Sequence, residues 1–133
     1  MVEQFVGTWT LTASENFDEY MKAIGVNFAI RQVGNTIKPD LLISVGDAGV
    51  VTMRSVSTFK TTEIRFKLNE EFSEMTADGR NTKTVVTFEN GKLVQKQSWD
   101  GKETTLEREI RDGQLIATCL MGDVVAVRTY KAA

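Results

Sequence analysis

A chain of 133 residues with 41% apolar side chains has the size of one domain able to enclose a core or a cavity and to fold alone. Its formal charge of −2 and isoelectric point near 5.2 argue against a phosphodiester-binding surface, which scales with clustered Lys and Arg, so nucleic acid is not expected as a partner. With no histidine and one cysteine, Cys119, the chain lacks the commonest general base and the ligands of a zinc site, so neither an enzyme nor a metal or cofactor protein is expected.

In chain order, the amino-terminal "FVGTWTL" reads as a first strand. The segment "SENFDEYMKAIGVNFAIRQVGN" breaks the strand pattern. Phe17, Tyr20, Met21 and Ile24 recur at i, i+3, i+4 and i+7, and Ser14 followed by Glu15 suits a helix start. Gly25 interrupts this helix, Asn27 caps a second one carrying Phe28, Ile30 and Val33, and Gly34 with Asn35 ends it. The helix pair is therefore expected over about 15–35. Pro39 stands where the next strand opens, a position that tolerates a missing N–H.

Beyond it the pattern is all sheet. In "TTEIRFKLN" the residues Ile64, Phe66 and Leu68 face one way and Glu63, Arg65 and Lys67 the other. Glycines at turn signals, Gly79, Gly91, Gly101, Gly113 and Gly122, recur 9 to 12 residues apart, the mark of an antiparallel meander. One strand, a helix pair and about nine further strands make an all-β domain over 1–133. So many antiparallel strands in a small chain remove their edges by closing into an up-and-down barrel of about ten strands, with the helix pair over one end. Such an interior is too wide for side chains alone and implies a ligand cavity.

Two arginines break the alternation. In "TTLEREI", Arg108 shares a face with Thr104, Leu106 and Ile110, whereas Glu107 and Glu109 mark the wet face. In "VVAVRTYKAA", Arg128 shares a face with Val124, Ala126 and Tyr130. Inward guanidiniums left unpaired cost several kcal/mol each, on the order of the penalty for any buried ion. No acidic residue of these two strands has the parity to meet them. A ligand carboxylate would, with the arginine fork matching its two oxygens and the Tyr130 hydroxyl donating a further bond. Leu106, Ile110, Leu115, Ala117, Cys119, Val124 and Ala126 share the inward parity and form an apolar lining. Roughly fifteen methylenes buried at about 0.8 kcal/mol each give a gross gain near ~12 kcal/mol before ordering costs.

The stretches "FVGTWTL", "ENFDEYMKAIGV", "STFKTTEIRFKLNEEFSEMTADGR" and "WDGKETTLERE" resemble the intracellular lipid-binding proteins, specifically the fatty acid-binding proteins of the heart, adipocyte, brain and myelin branch, over essentially the whole chain. That resemblance implies a ten-stranded antiparallel clamshell barrel with a helix-turn-helix lid after the first strand. It implies a monomeric, non-enzymatic carrier of long-chain fatty acids. By position, the family's carboxylate anchor maps to Arg108, Arg128 and Tyr130. Its portal maps to Phe17, Tyr20, Met21, Val26, Ile30 and Phe59, with Ala77 and Asp78 beside the cavity mouth. Ile30, Asn27 and Thr61 depart from the residues common in relatives, and the turn "VGDAGVV" is one residue longer than in many.

Retinoic acid would use the same anchor, and a membrane-coating protein of the myelin type is the reading from another class, although it calls for a basic surface. Lys22 and Arg31 on the lid are candidates for transient contact with anionic membranes, but Lys22 also stands four residues after Asp18, a helix pair that needs no function. Cys119 reads as a small buried apolar group rather than a reactive thiol. The lone cysteine fits a reducing compartment. The amino end lacks a signal-peptide pattern, and no apolar run approaches membrane-spanning length. The expected location is the cytoplasm, with the nucleus also open.

Overall fold

The computed structural model describes residues 2–133. A single 3-10 turn at Val2–Phe5 precedes strand β1 (Gly7–Glu15), the helices α1 (Phe17–Ala23) and α2 (Phe28–Thr36), and nine further strands. These are β2 (Asp40–Val45), β3 (Val51–Val56), β4 (Thr61–Phe66), β5 (Phe72–Met75), β6 (Asn81–Glu89), β7 (Lys92–Trp99), β8 (Lys102–Arg111), β9 (Gln114–Met121) and β10 (Val124–Ala132).

All ten strands lie in one antiparallel sheet of order β4-β3-β2-β1-β10-β9-β8-β7-β6-β5. Chain neighbours pair along the ladder except β4 with β5, and β1 bridges the first and last parts by pairing with both β2 and β10. This is the clamshell barrel with two helices after the first strand. Closure is not complete: the ladder ends at β4 and β5, which do not pair with each other. Phe66 and Phe72 span that gap with rings stacked at 5.5 Å, so aromatic contact replaces backbone hydrogen bonds where the two edges meet.

The glycine turns set the register of the carboxyl-terminal half. Asn90–Gly91, Asp100–Gly101 and Asp112–Gly113 all have positive φ at both positions, the conformation of two-residue turns whose twist matches that of the flanking strands. With register fixed, alternate residues of β6 to β10 face inward together.

Where the helices begin and end differs from the sequence expectation. Ser14 and Glu15 complete β1, and Asn16 opens α1 in the left-handed region (φ 62) without a side-chain cap. Its amide donates instead to the Val125 carbonyl at 2.9 Å. Asn27 does cap α2, its Oδ1 accepting from the Ile30 N–H at 2.9 Å. Gly34 does not end α2, which runs to Thr36. A Cβ there would lie 2.8 Å from the Met21 sulfur, so its missing side chain lets the two lid helices approach.

Apolar packing is split into two clusters. One closes the far end of the barrel around Phe5, Trp9, Leu93 and Leu115, with the Trp9 indole donating to the Phe5 carbonyl at 2.9 Å. The other joins the lid residues Tyr20, Met21, Ile24 and Val26 to Cys119 and Ala126 of the wall. Between them the barrel is hollow.

Candidate functional site

The hollow is a cavity of about 270 Å³. Phe17, Tyr20, Met21, Val26 and Ile30 line it from the lid, Phe59 from the β3–β4 turn, and Ala77 and Asp78 from the β5–β6 turn. Leu106, Arg108, Ala117, Cys119, Arg128 and Tyr130 line it from β8, β9 and β10. Leu115, expected on the lining, lies instead in the closed-end cluster, 0% exposed. It has the inward parity but sits opposite Tyr130 and Ile110, at the end of β9 where the barrel is already filled.

The β-strand pattern explains the placement of the anchor candidates. In β10, Ala126, Arg128 and Tyr130 are buried while Val125 is exposed. Arg128 and Arg108 both stand opposite Ala117 in the register, a small residue between two long ones. That juxtaposition brings both guanidiniums to one region of the wall. No hydrogen bond ties the Tyr130 hydroxyl to the protein among the described residues.

Each arginine has a neutral partner on a strand other than β8 and β10. Arg108 Nη1 donates to Gln95 Oε1 at 2.7 Å. Arg128 Nη1 donates to Ser14 Oγ at 3.2 Å, and its guanidinium carbon lies 3.8 Å from the centre of the Phe17 ring. Ser14 reaches this position because a bulge between Leu11 and Ala13 shifts the register of β1 by one residue, bringing Ser14 opposite Arg128.

A second polar group of residues covers the wall of β5 to β7. Glu74 Oε1 accepts from Thr84 Oγ1 at 2.9 Å and from the side-chain amides of Gln95 and Gln97, each at 3.0 Å. Beside it, Arg80 binds both oxygens of Asp78 at 2.7 and 3.0 Å and lies over the Trp99 ring at 4.4 Å. Burial works against ionised Asp78, but the hydrogen bonds and charge of Arg80, with the Thr76 hydroxyl, hold its carboxyl below the ordinary value of 3.8. The signal for this wall was present in "KLVQKQSW", where Gln95 and Gln97 share parity with Leu93 and Trp99 and alternate with Lys96 and Ser98.

Charged side chains that line the cavity without being exposed are Arg80, Arg108 and Arg128 against Glu74 and Asp78. Three minus two leaves an excess of one positive charge among the described residues. Elsewhere on the lining, Tyr20 is pushed up to about 12 by burial. Thr104 gives its own proton to the Leu120 carbonyl at 2.7 Å, so Tyr20 donates to Thr104 Oγ1, also at 2.7 Å. Burial also pushes the Cys119 thiol up, against the pull of Arg108 and Arg128, which leaves it a neutral, inert wall group.

The lid cations are engaged within the lid itself. Asp18 lies 3.6 Å from Lys22 Nζ and 3.2 Å from Arg31 Nε, and Arg31 also donates to the Val26 carbonyl at 2.8 Å. Phe28 and Phe59 are the exposed aromatics, at 65% and 44%. No helix among the described residues is long and apolar enough to cross a membrane.

Residues 6–133 match the lipocalin / cytosolic fatty-acid binding protein family. Over 133 residues, 100% of both chains, the sequence is 50% identical to the adipocyte fatty acid-binding protein of Pygoscelis papua. The fold superposes on the fluorescent protein UnaG with a TM-score of 0.96, at 49% identity and 100% coverage of both chains. It superposes on a Schistosoma mansoni fatty acid binding protein in complex with arachidonic acid with a TM-score of 0.94, at 41% identity over 99% of this chain and 98% of that one. With the barrel, the lid and the hollow interior described above, these matches mean that the chain belongs to the lipocalin / cytosolic fatty-acid-binding protein family.

Proposed function

We propose that this protein binds and carries a long-chain fatty acid, without chemistry, holding the carboxylate between Arg108, Arg128 and Tyr130 and the tail against the apolar wall. The observation that carries the reading is the charge excess of the cavity interior: three unexposed guanidiniums against two carboxylates, with the exposed Lys60 a further cation at the rim, and neither Arg108 nor Arg128 is paired to an acid. One ligand carboxylate brings the interior to neutrality. The guanidinium fork offers it parallel donors, and the untied Tyr130 hydroxyl adds another. Relatives of similar sequence are named as fatty acid-binding proteins, and one was solved with arachidonic acid.

The ligand enters, on this reading, by parting the lid from the turn that bears Phe59, and Phe17 and Tyr20 then close over it. Delipidated protein carrying anilinonaphthalene sulfonate is titrated with oleate, retinoic acid and oleyl alcohol. Displacement by oleate at micromolar concentration or below, with the alcohol ineffective, is the expected result. Tighter binding of retinoic acid keeps the anchor and changes the cargo. Failure of every acid to displace the probe overturns the proposal, and salt-sensitive co-sedimentation with anionic vesicles would then favour a membrane-coating role.

A further inference from the structure

The apolar tail of a simple fatty acid leaves one feature of the cavity unused. Glu74 projects from β5 into the hollow, on the parity of Phe72, while Ser73 and Met75 are exposed. Its Oε1 is saturated by three donors, Thr84, Gln95 and Gln97. These donors are themselves sealed in the wall, Gln95 at 2%, Gln97 at 3% and Thr84 at 0% exposure. They orient the carboxylate rigidly. The second oxygen, Oε2, accepts no hydrogen bond from the described residues, although a carboxylate carries about four acceptor sites over its two oxygens.

A pure hydrocarbon passing this wall would strip water from an ionic acceptor and return nothing, which is costly. A tail bearing a hydroxyl donates to it. From this geometry we infer that Glu74 is a second polar subsite, selecting long-chain carboxylic acids that carry a hydroxyl group along the tail. The inference rests on the fatty acid reading above and deepens it. Gln95 joins the two subsites, since its amide donates to Glu74 while its carbonyl accepts from Arg108. The head-group anchor and the tail subsite are thus parts of one hydrogen-bonded frame across β5, β7 and β8, whose spacing is fixed by the sheet.

The test uses calorimetric titration of the whole delipidated protein with octadecanoic acid and with isomers whose hydroxyl is moved stepwise from the carboxyl end toward the methyl end. Each isomer is paired with its O-methyl ether, which accepts hydrogen bonds but cannot donate. At one region of the chain the hydroxy acid is expected to bind about tenfold tighter than its ether, the yield of one charge-assisted bond less the desolvation of the hydroxyl. In Glu74→Gln the remaining carbonyl keeps the three wall donors, and the atom facing the cavity becomes an amide donor. The distinction between alcohol and ether then vanishes while affinity for the parent acid does not fall.

If the wild-type protein binds the parent acid but favours no hydroxy isomer over its ether, the subsite is refuted and the carrier reading stands. A preference that persists in Glu74→Gln removes Glu74 from the assignment. If no acid binds, both readings fall together. The comparison of alcohol and ether in the wild type needs no variant, so it decides the matter even where the substitution impairs folding.

Discussion

Replacing Arg128 by glutamine separates stability from binding. Arg128 is 7% exposed and has no acidic partner. What holds it is the Phe17 ring at 3.8 Å and the Ser14 hydroxyl at 3.2 Å. The ring contact contributes about 0.5–2 kcal/mol and the hydroxyl bond about 1.5–3 kcal/mol. Against them stands the desolvation of a buried guanidinium, several kcal/mol on the usual order of magnitude. Arg128→Gln is therefore expected to leave the ligand-free protein as stable as the parent or more so, read by scanning calorimetry at roughly 4 °C per kcal/mol for a domain of this size. In binding, the loss of a charge-assisted contact costs about 1.5–3 kcal/mol, or about 10- to 150-fold in the oleate dissociation constant. Oleyl alcohol affinity should hardly change. Equal losses for acid and alcohol would mean that Arg128 only shapes the cavity, and a clear fall in Tm would mean that Phe17 and Ser14 outweigh desolvation; either result refutes the reasoning.

Other sites give sharper tests of the packing. Gly34→Ala puts a Cβ 2.8 Å from the Met21 sulfur; the flexible thioether yields, so a loss of about 1 kcal/mol is expected by thermal melting, within the 1–3 kcal/mol usual for overpacking. Asp78 has its carboxyl held below 3.8, so its ion pair stabilises the fold above that pH and the contribution is lost as pH falls through the depressed value. Asp78→Asn should lower Tm at neutral pH, with the gap to wild type closing in acid. Spectrophotometric titration should show Tyr20 ionising at about 12, a step that disappears in Tyr20→Phe. Leu115→Ala in the sealed end should cost about 2–5 kcal/mol in denaturant unfolding, whereas Leu106→Ala on the cavity wall should cost clearly less, because its neighbour is already empty space.

The sequence carried the architecture through local rules. Turn pairs such as Asn90–Gly91 and Asp100–Gly101 fix strand length and register without help from distant parts of the chain, and the alternation around Arg108 and Arg128 follows from that register. What failed to show was non-local. Ser14 read as a helix start because the bulge that carries β1 to Glu15 is set by pairing with β10, more than a hundred residues away. Gly34 read as a terminator because only the packing of Met21 reveals its purpose. Glu74 escaped notice in a strand of four residues, too short for alternation to be read. The partner of Arg108, Gln95, lies across the ladder on β7, outside the two strands whose parity places the arginines. The gap between β4 and β5 was equally invisible, since strand count argues for closure but not for where the ladder ends.

Division of labour between the two ends of the barrel explains how a domain this small tolerates a hollow. Phe5, Leu93 and Leu115 are sealed without exposure in the closed end, and burial there supplies the hydrophobic gain that the cavity forgoes. The cavity half retains its polar groups by satisfying them mutually: Thr84, Gln95 and Gln97 meet on Glu74, Arg80 meets Asp78, and no buried side-chain nitrogen or oxygen among the described residues lacks a partner. A satisfied polar wall costs little in the empty state and keeps its geometry rigid. Besides Glu74 Oε2 and the Tyr130 hydroxyl, the network leaves the residual positive charge uncancelled, and neutralising it from within, by an added acidic side chain on the lining, would remove the electrostatic reason for an anionic ligand to enter. Stability arises where the barrel is full, and on the proposed reading selectivity for an acid arises from the charge left over where it is not.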